Sequence, residues 1–152
     1  MSGLVGKSSI GNIGGGTSKK SNFTVNSFHT FTQVTTLDRW YTPGGISNQS
    51  TLERTILVIP YACTVSNLKI YLRTNNLGLA QIFTVQKDTG SGMVDTAVTV
   101  SLPNDTTKGL FEDVTHTATF AAGDKIVLTA KQTVGGSGNC EIASILLEFN
   151  ET

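Results

Sequence analysis

Between Asn22 and the C-terminus no segment of useful length holds the 3.6-residue period of an amphipathic helix. Apolar residues come instead in short alternating or continuous runs, cut by Gly, Pro, Asn and Asp. A chain with that pattern is built for sheet. The clearest run is 64–74, where Leu68, Ile70 and Leu72 share one parity and Lys69, Tyr71 and Arg73 the other. This predicts a strand with one buried and one wet face. Residues 55–59 are almost continuously apolar and stop at Pro60, which predicts a strand covered on both faces. Strands are also expected over 80–87, 93–102, 114–120, 125–133 and 141–149. Val114, Ala118 and Phe120 share a parity that also holds His116 and is read as inward. Weaker strands fall within 23–34 and 37–42. Turn signals separate the runs at Asn75, Asn76 and Gly78, at 88–92, at 103–105, at 121–124 and at the flexible tip 135–139.

About eight or nine strands at roughly ten-residue spacing suit an all-β, two-sheet antiparallel β-sandwich of jelly-roll type, with a barrel as the near alternative. An immunoglobulin-like sandwich fits less well, because Trp40 precedes both cysteines instead of lying between them.

Residues 1–22 are different in kind. They are mostly Gly, Ser and Lys, with isolated Leu4, Val5, Ile10 and Ile13. Such a segment cannot bury enough apolar area to offset roughly 1–2 kcal/mol of backbone entropy per ordered residue. We read it as an extended arm, 1–22, ahead of a single β-domain, 23–152. Lys7, Lys19 and Lys20 stand in this arm without any Asp or Glu, so it carries positive charge suited to an acidic protein surface or to phosphates, or simply to keeping a linker solvated. Gly14 to Gly16 supply a hinge. Over the whole chain the formal net charge is zero, which argues against nucleic acid as a partner. Only 14% of residues are charged, well below the ~25% of ordinary domains, so the surface is largely uncharged and polar. Self-association is expected of such a surface.

Catalytic patterns are not recognisable. Cys63 and Cys140 fall in apolar runs and read as buried free thiols, with a single bridge between distant strands as the alternative. His29 and His116 are far apart in sequence, and neither belongs to a zinc-protease or nucleophile-elbow motif. Glu112 and Asp113 are neighbours on a strand and face opposite sides, so they cannot cooperate as acid and base. Asp88, Asp105 and Asp124 lie in turns without the dense acidic spacing of a calcium loop. Gly6-Lys7-Ser8 lacks the strand and helix that frame a phosphate-binding loop. The expectation is therefore a protein that is not an enzyme and uses no metal or cofactor. No cationic segment leading into an apolar one opens the sequence, and no run is long enough to span a membrane, so neither a leader nor a membrane segment is expected. Arg39, Trp40 and Tyr41, followed by a Pro-Gly-Gly turn, have the composition of an interface hot spot, or of a strand end closing the sandwich.

The succession TVSNLKIYLRTN, QIFTVQKDTGSG, TAVTVSLPND and ATFAAGDKIVLTA, closed by an apolar strand, resembles the small jelly-roll virion proteins of tailed bacteriophages. Related architecture occurs in the trimeric tumour-necrosis-factor-like superfamily. The likeness spans roughly 51–149 and includes the turn at Gly123 and Asp124. It implies a homotrimeric structural protein on the virion capsid surface: a decoration or cement protein bound to the major capsid protein or another virion protein. The alternative it implies is a receptor-binding or adhesion module at a tail or fibre tip. On the first reading the arm residues Leu4, Val5, Lys7, Ile10, Ile13, Lys19 and Lys20 make the contact.

Overall fold

The computed structural model describes residues 20–25, 29–32, 39–41, 55–131 and 135–152. These residues contain ten strands: β1 Lys20–Val25, β2 His29–Thr32, β3 Arg39–Tyr41, β4 Leu57–Val58, β5 Cys63–Leu77, β6 Gln81–Asp88, β7 Met93–Leu102, β8 Gly109–Phe120, β9 Lys125–Ala130 and β10 Gly138–Glu151. All pairings are antiparallel. One sheet runs β1-β10-β5-β8, with β2 also on β10; the other runs β3-β9-β6-β7, with β4 also on β9. The chain is therefore all-β and layered as two sheets. β1 begins at Lys20, inside the stretch read as an arm, and pairs Lys20 with Asn150 and Ser21 with Phe149.

Alternation decides which side chains form the core. Val65, Leu68, Ile70 and Leu72 of β5 meet Phe83 and Val85 of β6, Val98 and Val100 of β7, Ile126 and Leu128 of β9, and Ile142, Ile145 and Leu147 of β10 in one buried cluster. Lys69, Tyr71 and Arg73 take the solvent side of β5, as expected, and carry the ion pairs Lys69–Glu112 and Arg73–Glu141. Two ends of the sandwich follow from the register. Loops 59–62, 89–92 and 121–124 gather at one end, where Lys20 also enters its strand; loops 78–80 and 103–108 and the 135–137 turn gather at the other.

Three expectations need correction. Residues 55–59 form only the two-residue β4, and Val58 is 55% exposed; among the described residues β4 pairs with β9 alone, at a sheet edge. Asn75 and Asn76 do not turn the chain, since β5 continues to Leu77. The buried Asn75 side chain instead donates to the Pro103 and Thr107 carbonyls and accepts from the Leu77 amide, fastening the next loop to the strand. The inward parity read for Val114 and His116 fails at a bulge. Asp113 pairs with Leu68 and Thr117 with Ser66, so 114–116 stand opposite Asn67 alone. Asp113 is buried before the bulge and Phe120 after it, while Val114 is 56% exposed. An irregular insertion of this kind moves the following side chains to the other face.

Candidate functional site

The charged side chains at the arm-entry end organise turns. Asp88 accepts the amides of Gly90 and Gly92 and an ammonium hydrogen bond from Lys125; these contacts hold its carboxyl below the usual range. Asp124 accepts the Ala121 amide and pairs with Lys87 at 3.0 Å, and these contacts likewise hold its carboxyl below the usual range. Lys87 also donates to the Thr119 carbonyl and stands 5.2 Å from the Phe120 ring centre, so one ammonium ties β6 to the other sheet. Asp105 accepts the Thr107 amide at the opposite end. Among the described residues no group of three or more His, Cys, Asp or Glu side chains could hold a metal ion.

The densest polar cluster surrounds Asp113. Its carboxylate accepts the amides of Thr99, Thr115 and His116, together with the Thr115 hydroxyl, and both oxygens lie 3.0 Å from His116 Nδ1. Burial alone would raise its pKa, but the Thr99, His116 and Thr115 amides and the imidazole hold it far below the ordinary carboxylate range. Because Thr99 is on β7 and Asp113 on β8, the carboxylate joins edge strands of the two sheets. The His116 ring is 56% exposed and Thr115 approaches the same nitrogen, Nδ1. A serine-type triad needs a hydroxyl on the nitrogen opposite the carboxylate, so this arrangement stabilises a bulge and does not activate a nucleophile. His29 pairs with Ile142, in line with Leu72 and Gly109, so its backbone lies three strand spacings across the sheet, roughly 14 Å, and a further seven residues along β8 from His116, and folding does not bring the two residues together.

Both cysteines are free and buried. Cys63 lies opposite Glu151, eleven residues along β10 from Cys140, or roughly 35 Å at ~3.3 Å per residue, far beyond the reach of a disulfide. Burial and the nearby Asp124 push the Cys63 thiol up, and burial pushes Cys140 up to about 12. Neither is a thiolate near neutral pH.

The remaining feature is concave. Residues 57–61, together with Cys63 and Phe149, line an apolar cavity of about 340 Å³ at the arm-entry end, where the chain crosses from β4 to β5. Its volume falls at the lower end of the ~300–1,000 Å³ of binding pockets. Val58 and Tyr61 expose apolar surface nearby. Sequence reading missed the cavity, because its walls come from both sheets and only Pro60 marked the crossover.

Leu4, Val5, Lys7, Ile10, Ile13 and Lys19 lie outside the described residues, and Lys20 enters β1. Arg39 and Trp40 pair through their backbones with Ala130 and Thr129. Tyr41 is buried in the core, its ring 5.6 Å from that of Phe83. Loops 88–92 and 135–139, which the sequence marks as turns, fall at opposite ends of the sandwich. No family model matches the chain, and no curated protein matches its sequence.

Proposed function

We propose that this chain is a structural virion protein of the capsid decoration or cement type, a jelly-roll body that presents an N-terminal arm to the shell. With β1/β2 and β3/β4 each counted as one edge position, the sheets take strand positions in the orders 1-8-3-6 and 2-7-4-5. That interlocked order supports the jelly-roll reading. The observation that carries the function is the rooting of the arm. Lys20–Val25 is held along β10 by main-chain pairing, so the segment before it leaves from an edge of the sandwich at a defined end. A rigidly rooted, cationic, apolar-studded segment is suited to crossing onto a neighbouring shell subunit, where main-chain bonds and small anchors give a large footprint. Homotrimer formation, and the major capsid protein or another virion protein as partner, belong to the same proposal.

The test is immunogold electron microscopy of virus particles purified from cells that express the chain. Label over the whole shell in many copies is the expected result. Label confined to a tail or fibre tip would favour the receptor-binding reading, and unlabelled particles would overturn both. A chain lacking residues 1–19 should retain its β-sheet circular dichroism and lose co-sedimentation with shells.

A further inference from the structure

The cavity at the β4–β5 crossover has the wrong chemistry for a polar small molecule. Ligand sites combine apolar walls with a few placed polar groups that fix orientation. Here the described walls are aliphatic and aromatic, and the cysteine among them is buried. What suits such a space is one or two aliphatic side chains delivered by a peptide.

The nearest source of such side chains is the chain itself. Phe149, one wall of the cavity, is the register partner of Ser21, and Asn150 is that of Lys20. β1 therefore starts beside the cavity, and 19 residues precede it in the sequence. Upstream of that root come Gly14 to Gly16, where a reversal of direction costs little, and then Ile13 and Ile10. From Ile13 to Ser21 the chain can extend at most ~28 Å at ~3.5 Å per residue. The cavity lies one ~4.8 Å strand spacing from β1 at Phe149 and spans to the other sheet about 10 Å away, so the reach is ample. A short tether also presents its end to the site at an effective concentration of the order of millimolar, which a second copy or a separate partner has to exceed.

We propose that this cavity is the seat of the chain's own N-terminal segment, with Ile10 and Ile13 as the inserted side chains. The seat stands independently of what the arm binds on a particle. Its consequence for shell attachment rests on the function proposed above: fixing residues 10–19 to the body removes part of the ordering cost of binding and leaves Leu4, Val5 and Lys7 projecting as a preorganised contact.

The test uses the full-length chain with a benzophenone amino acid at position 58, a residue of the cavity wall that is 55% exposed. Irradiation of a dilute solution should give a cross-link to the 1–19 peptide at the mass of a single chain. A cross-link to that peptide only at twice the chain mass would assign the seat to a second copy and overturn the proposal, as would cross-links confined to other peptides or none at all. Cys63 provides a second readout. In the full-length Ile10→Asp/Ile13→Asp variant, maleimide labelling of Cys63 should accelerate at least about tenfold while Cys140, the internal control, keeps its rate. An unchanged Cys63 rate would overturn the proposal. Failure of the function proposed above would appear separately, in particle labelling, with these cross-links intact.

Discussion

Gly138 shows how narrowly one position can be determined. It opens β10 with φ at +84°, and a Cβ there would fall 1.9 Å from the Asn76 carbonyl oxygen. The neighbour is backbone in a paired strand, so it cannot swing aside. Gly90 also has positive φ, at +112°, but a Cβ on it meets open space. The two glycines therefore separate backbone strain from collision. Gly138→Ala should lower unfolding free energy by at least ~2 kcal/mol in urea titrations, whereas Gly90→Ala should cost ~1 kcal/mol. Equal losses would mean that strain alone acts at both positions. Residues 135–139 read in the sequence only as a flexible tip, because nothing local announces that the carbonyl of Asn76, from a distant strand, closes on Gly138.

At the scale of elements, strand existence was legible and strand phase was not. The 93–102 run matches β7 residue for residue, and Leu68, Ile70 and Leu72 face the core as their alternation requires. The phase of β8 was misread because a bulge is a property of a pair of strands. Asn67, at φ +53°, sits opposite three residues of β8, and its side chain donates to Glu148 across the sheet. A matching irregularity places 96–98 opposite Val85 in β7, where Thr96 donates to the Val85 carbonyl. Asp113 links the two irregular edges through the Thr99 amide. Asp113→Ala should consequently cost ~2–3 kcal/mol of stability, the range for charged hydrogen bonds removed from buried amides. Glu112→Ala removes only a partly exposed ion pair and should cost under ~1 kcal/mol. Chemical denaturation of the two variants side by side checks the ordering.

For the molecule as a whole, low charge content puts a few bonded carboxylates, buried at Asp88, Asp113 and Asp124 and exposed at Asp95, in positions of consequence. Asp88 and Asp124 organise the arm-entry end; Asp95 and Asp113 belong to β7 and β8. Lys131 and Gln86 donate to Asp95 and lower its pKa, and the other three are lowered by the contacts described above. A carboxylate whose pKa is lower folded than unfolded contributes stability above its unfolded value of ~3.9, and that contribution is lost as pH falls toward the folded value. All four act in the same direction. The native state is therefore expected to hold near-constant stability from neutral pH down to about pH 5 and to weaken progressively below it. Asp113 offers the cleanest dissection, since it is the most completely bonded of the four. Below about pH 4 the unfolded chain binds a proton at this position that the folded chain does not. The Asp113→Asn variant, although less stable throughout, should accordingly lose stability less steeply there, by up to ~1.4 kcal/mol per pH unit. Urea midpoints measured from pH 5 to 2 for both proteins give the two slopes, and parallel slopes would show that the Asp113 carboxylate does not drive the acid transition.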